Sequence, residues 1–189
     1  QLSLDIQISL SVNGFLFNNQ KLWPINGLKE GDYLLISRGL GSGVIFSASM
    51  AGKVNPNDLD NVLSVLQESQ HFLIDNILSS KDNSIKQTSI NACTDITGFG
   101  LLGHIGQMLT STNHSRLEAG LNPLSIELYA NKIPSLNGAI ELIEQGFAST
   151  LAPANRNFFS YLDDKENYIK LLLADIPYLS KTYRNILEL

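Results

Sequence analysis

The chain is poor in the residues that carry several common chemistries. It has a single cysteine, Cys93, among 189 residues. One cysteine excludes an intrachain disulfide and a zinc site built from cysteines alone. Cations are scarce too: 13 Lys and Arg stand against 18 Asp and Glu, for a net charge of −5 and a pI near 5.1. With no basic run, neither nucleic-acid binding, which leans on clustered Lys and Arg, nor binding to an anionic membrane is expected. No apolar run approaches the roughly 20 residues of a membrane helix. The opening "QLSLDIQISLSVNG" lacks the charged start and cleavage signal of a secretory leader. A cytoplasmic protein is the expectation, and the sequon Asn113-His114-Ser115 does not change it.

What remains is a foldable chain. Hydrophobic residues make up 43% and charged residues 16%, enough for a core and too apolar for disorder. The length predicts one domain over residues 1–189. Residues 1–14 read as the tail of a linker or strand from a preceding domain. The C-terminal "SKTYRNILEL" stops on an apolar pattern, so the chain is expected to be a fragment at both ends.

Strand and helix patterns alternate. "LDIQISLSV" has period two, and Tyr33–Ser37 reads as a strand. "GLGSG", Gly39 to Gly43, follows and opens into a helix. Asn55-Pro56 starts a helical pattern over 56–79, one helix or two in series. "SINACTDI" reads as a short half-polar strand, "GLLGHIGQMLTS" as a helix and "LSIELYANKIP" as a strand. Asn137 is the expected cap of a helix that Gly146 closes. "KENYIKLLLADIPYL" suits helix or strand equally. The fold class predicted is α+β, a layered α/β arrangement with a mixed β-sheet flanked by helices.

The informative stretch is "ACTDITGFGLLGHIGQML", Ala92 to Leu109. Gly98, Gly100 and Gly103 spell the G-x-G-x-x-G of dinucleotide loops, and Glu118 stands twenty positions after Gly98. The residues before the glycines speak against that reading. Asn91, Cys93, Thr94, Asp95 and Thr97 occupy what would be a Val- and Ile-rich buried strand. Asp95 would also repel a pyrophosphate that lay directly on the loop. A carboxylate beside a phosphate loop makes sense with a cation between them. Mg²⁺ takes one or two protein carboxylates and fills its shell with phosphate oxygens and water. The alternative is structural: Asp95 caps the following helix and the glycines only turn the chain.

"ACTDITGFGLLGH" closely resembles the signature of the selenophosphate synthetases (selenide, water dikinases), within the ATP-binding superfamily of aminoimidazole ribonucleotide synthetase. "GLKEGDYLLISRGLGSGVIF" is similar to the family's G-D-x-L…K-P-L-G-T-G-V-L stretch. "IPSLNGAIELIEQGFAST" with "PANRN" resembles its P-x-L-x-G-A…G-x-x-S-T…P-x-N stretch. These motifs stand in the family's order from Gly14 to about Asn157.

The resemblance implies the C-terminal domain of such an enzyme, with the aminoimidazole ribonucleotide synthetase-like fold. The family makes selenophosphate, AMP and phosphate from ATP, selenide and water. Its N-terminal ATP-binding domain carries a Cys or selenocysteine, a Lys and most metal-binding aspartates, and mediates a homodimer. No catalytic residue of that kind is matched here, so the fragment alone is expected to be inactive. The resemblance makes Asp95 the Mg²⁺ ligand that this domain supplies. Thr94, Thr97, Gly98 and Gly100 would shape the loop against the ATP phosphates. Cys93 is expected to be a buried small residue, not a nucleophile.

Two departures matter. The family's K-P-L-G-T-G is Arg38 to Gly43 here, and its D-P-Q-T-S-G-G stretch is not reached. No role follows for Arg38; His104 is either catalytic or an ordinary helical histidine, and Asn155-Arg156 is either a phosphate contact or a solvated loop. The other functions open are a sister ATP-dependent phosphotransferase of the superfamily and a non-catalytic interaction domain.

Overall fold

The computed structural model describes residues 9–16, 21–79, 90–155 and 169–172. The first helix grows from the first glycine loop. Gly41, with φ at 110°, stands at the N-cap of α1 (Ser42–Met50). The run that follows buries Val44, Ile45 and Ala48. α2 (Pro56–Gln67) begins as its residues dictate: Pro56 fills the first helical position and the Asn55 side chain accepts from the Asn57 N–H at 2.9 Å. At Glu68 the backbone turns extended. The Ser69 hydroxyl then accepts from the His71 N–H at 3.2 Å, and α3 (His71–Ser79) starts. The pattern over 56–79 is therefore two helices in series.

α4 (Gly100–Glu118) is the most buried helix. It runs past the "GLLGHIGQMLTS" read from the sequence, because its polar second half is not a loop. Thr112 and Asn113 are themselves buried. The Asn113 amide accepts from the Leu124 N–H at 2.7 Å and donates to the Leu124 carbonyl at 3.0 Å. Only 4% exposed, it clamps the entry to β1 (Ile126–Tyr129). Both ends of that amide are used, so the sequon is closed to modification in the folded chain.

β1 pairs in parallel with β2 (Ile169–Leu172), Ile126 opposite Ile169 and Tyr129 opposite Leu172. "KENYIKLLLADIPYL" thus contributes a strand. β1 is shorter than "LSIELYANKIP" suggested, because a 3₁₀ turn takes Ala130–Lys132. Of the expected mixed sheet, the described residues contain this two-stranded parallel pair. Residues 33–36 and 90–97 carry strand-like patterns but join no ladder there. Alternation marks a strip able to pair, and a ladder also needs a neighbouring edge. One isolated parallel bridge, Leu40 to Ser135, links the first glycine loop to the segment before α5 (Ala139–Glu144). Gly138, with φ at 77°, stands at the N-cap of α5, where Asn137 was expected as cap. At the other end Gly146 closes the helix as read. Its N–H bonds to the Ile143 carbonyl, and that of Phe147 to the Leu142 carbonyl. Residues 1–8 and 156–168 lie outside the described part.

The interior has two apolar clusters. One joins Val44, Ile45 and Ala48 of α1 to Val62 of α2 and to Ala139, Leu142 and Ile143 of α5. The other joins Leu101, Leu102 and Ile105 of α4 to Leu128 of β1, with Ile36, Leu40 and Ile133 around them. Each fully buried Leu, Ile or Val contributes roughly 1.5–3 kcal/mol relative to exposure. Leu40 packs on the second cluster while Gly41 begins the helix of the first. The first glycine loop therefore lies where the two clusters meet. Among the described residues no helix is long and apolar enough to cross a membrane.

Candidate functional site

The stretch ahead of the second glycine loop is pinned before it reaches the site. The Cys93 N–H donates to the Pro24 carbonyl at 3.3 Å. The Asn91 amide donates to one Asp32 carboxylate oxygen at 2.8 Å, and the other oxygen accepts the Lys29 N–H at 2.9 Å. Cys93 is exposed, not the buried residue expected. The reason is that residues 90–97, with no ladder partner among the described residues, run along the surface.

Beyond Cys93 the chain presents Thr94, Asp95 and Thr97, then turns. The Gly100 N–H donates to the Thr97 carbonyl at 2.9 Å. Gly100 takes φ at 68°, a left-handed conformation that favours glycine. Phe99 holds the N-cap position of α4, and no side chain caps it. Asp95 is therefore not the helix cap, which removes the structural explanation that the sequence left open for it.

Two buried polar side chains hold this loop. The imidazole of His104, one turn into α4, accepts from the Thr97 backbone N–H at 3.1 Å, and the Thr97 hydroxyl lies at the same distance. The Phe99 ring stands edge-on to it at 6.1 Å. From the other side the Asn155 amide donates to the Gly98 carbonyl at 3.0 Å. His104 is 8% exposed and Asn155 7%.

The loop so held faces the first glycine loop across a cavity of about 640 Å³. Its walls are the stretch from Leu35 to Gly43, the stretch from Thr94 to Gly98, and Ser149 to Leu151, with Leu66 and Gln70 at one side. Four of the five residues singled out from the sequence, Thr94, Asp95, Thr97 and Gly98, line this space. Gly100 does not; it is buried at the first position of α4. Ser149 to Leu151 carried no role in the sequence reading, although Ser149 and Thr150 end its "GFAST" motif and Leu151 follows it. The Ser149 hydroxyl is buried without a hydrogen-bond partner among the described residues. Asn155 was read with Arg156 as a loop contact; it is instead an internal clamp, and Arg156 lies outside the described residues. Arg38 lines the cavity but donates to the Glu68 carbonyl. His71 and His114 are exposed and pair with Asp75 and Glu118, four residues on in their helices.

The donor set limits the chemistry. The cavity holds one carboxylate of the second loop, several hydroxyls and the N-terminal end of α1. Helix N-termini favour anions through free N–H groups and the helix dipole. Among the described residues no three His, Cys, Asp or Glu side chains converge as a metal cage. A closed zinc site is excluded there. A single carboxylate does fit Mg²⁺, which draws most of its shell from phosphate and water. The dinucleotide reading fails here. No buried strand leads into these glycines, and a Cβ on Gly103 would lie 2.9 Å from Cβ of Phe99. A larger hollow of about 1050 Å³ lies between residues 28–36 and β1. It contains none of Thr94, Asp95, Thr97, Gly98 and Gly100, and is bordered by the strip at Tyr33 and Leu35 that joins no ladder among the described residues.

Comparison with known proteins gives concordant results. A family model described as AIR synthase related protein, C-terminal domain, matches residues 29–137. A selenide, water dikinase of Treponema denticola is 33% identical over 150 residues, covering 79% of this chain and 37% of that protein. Proteins of the same name match from Clostridioides difficile, at 29% over 94% of this chain and 46% of theirs, and from Campylobacter jejuni, at 31% over 92% and 45%. The chain thus spans less than half the length of these relatives.

Proposed function

We infer the function from one premise: this chain belongs to the AIR synthase related protein family, whose C-terminal domain it matches over residues 29–137. Its relatives named selenide, water dikinase cover most of the chain. The proposal is that it serves as the C-terminal domain of such an enzyme. The whole protein would then be an ATP-dependent phosphotransferase that makes selenophosphate, AMP and phosphate from ATP, selenide and water. The observation that carries the reading is the meeting of two glycine loops around one cavity, with Asp95 on its rim and uncommitted as a cap.

In this proposal Asp95 would hold Mg²⁺ for the ATP phosphates, together with ligands from an N-terminal ATP-binding domain. Magnesium, when bound, offsets phosphate charge and orients the transferred group, which is most of what a protein supplies in phosphoryl transfer. Thr94, Thr97 and Gly98 keep the loop low and polar beside the phosphates. Gly100 acts indirectly, by turning the chain into α4. The N-terminal end of α1 adds favourable potential for a phosphate across the cavity. The finer features of the proposal are a homodimer, a cytoplasmic location, and a mixed sheet completed in the whole protein.

Phosphorus NMR of the full-length protein with ATP, Mg²⁺ and selenide is the test, run for wild type and Asp95→Ala. Selenide-dependent AMP and a selenophosphate signal, both lost in the variant, are expected. An active Asp95→Ala protein would remove the metal role. No selenophosphate from wild type would overturn the activity.

A further inference from the structure

The loop that bears Asp95 contacts two buried polar side chains whose positions need explanation. His104 sits in the most buried helix, surrounded in sequence by Leu101, Leu102 and Ile105 of the apolar cluster. Asn155 comes from a helical turn at 152–155. They bond to adjacent residues of the loop, the N–H of Thr97 and the carbonyl of Gly98. The Thr97 carbonyl is taken by the Gly100 N–H. The loop backbone is therefore fastened at Thr97 and Gly98, two and three residues after the exposed Asp95.

From this geometry we propose that His104 and Asn155 are positioning residues for Asp95. They hold the Thr94–Gly98 loop in the shape that turns its carboxylate toward the cavity. A backbone N–H can only donate, so Nε2 of His104 must accept, and the ring carries its proton on Nδ1. His104 acts on the loop as a hydrogen-bond acceptor. The proposal rests on the Mg²⁺ role of Asp95, and it assigns that role an internal support. Residues behind a metal ligand commonly change metal affinity by about 10–100-fold when removed.

The experiment uses the full-length protein in four forms: wild type, His104→Phe, His104→Gln and Asp95→Asn. Phe keeps the ring and loses the acceptor; Gln restores an acceptor with an amide oxygen. The first readout is the Mg²⁺ concentration for half-maximal ATP turnover. The second is amide hydrogen exchange of residues 94–98 without metal or nucleotide. His104→Phe is expected to raise the Mg²⁺ requirement about tenfold and to speed exchange in the loop, while thermal melting shows the protein folded. His104→Gln is expected to recover most of both. Unchanged Mg²⁺ dependence and exchange in His104→Phe, or a Gln variant as impaired as Phe, overturns the proposal. Asp95→Asn separates the two claims. If it leaves the Mg²⁺ dependence unaltered, the metal role itself fails, whatever His104 does to exchange. If His104→Phe does not fold, nitrogen-15 NMR of the wild-type imidazole decides: an unprotonated Nε2 supports the assignment and a protonated Nε2 overturns it.

Discussion

The two glycine loops that face each other across the cavity are built on different principles. The first, Gly39 to Gly43, is held by backbone. The Leu40 N–H donates to the Pro134 carbonyl at 2.9 Å, and the Leu40 carbonyl accepts from Leu136 at 2.8 Å. The second, Thr94 to Gly98, is held by the side chains of His104 and Asn155. A loop fixed by backbone contacts needs glycine for space. A Cβ on Gly39 would come within 2.7 Å of the Ser135 carbonyl carbon, and one on Gly41 within 2.5 Å of Cβ of Ala139. A loop fixed by side chains is more forgiving of its own residues and less forgiving of its anchors. At Gly98 an added Cβ would meet only Cδ1 of Leu151, at 2.5 Å, the far end of a flexible chain.

The contrast can be tested by stability. Gly39→Ala should have the largest effect, about 2–3 kcal/mol, because two backbones must part to admit the methyl group. Urea unfolding would measure it, and a loss under about 1 kcal/mol would show the first loop to be less rigid than its contacts imply. Next comes Asn155→Ala, which strips the Gly98 carbonyl of its side-chain partner and should cost about 1 kcal/mol. Faster hydrogen exchange confined to residues 94–98 would sharpen the contrast; an equal change at residues 39–43 would break it. Gly98→Ala should be the mildest, below about 1 kcal/mol, with Leu151 rotating aside. A melting temperature reduced as far as in Gly39→Ala would mean that the second loop, too, is limited by space.

The same contrast explains what the sequence revealed. Glycine spacing and local polarity are readable along the chain, so both loops and α1 were located, as was the closure of α5 at Gly146. Asp95 was singled out by chemistry that does not depend on the fold. The anchors were hidden, because a helical histidine looks the same whether it packs, titrates or grips a loop. Only the proximity of His104 to Thr97 distinguishes these. The break between α2 and α3 had a signal, Ser69 followed by a helical run, but it was submerged in continuous periodicity. Strand pairing was least legible. Tyr33–Ser37 has the residues of a strand, yet pairing depends on an edge supplied from elsewhere.

The bridge between Leu40 and Ser135 has a consequence for how the chain is made. It joins the first motif to the third, and the Asn155 clamp reaches back 57 residues to Gly98. Contacts of such sequence separation form only after a large loop has closed, and they slow folding. On the ribosome the first loop emerges as a bare turn well before Pro134 and Leu136, and the second emerges with His104 but well before Asn155. A nascent chain halted between Leu109 and Ser135 would carry nearly every residue of the cavity's first two walls and still have no cavity.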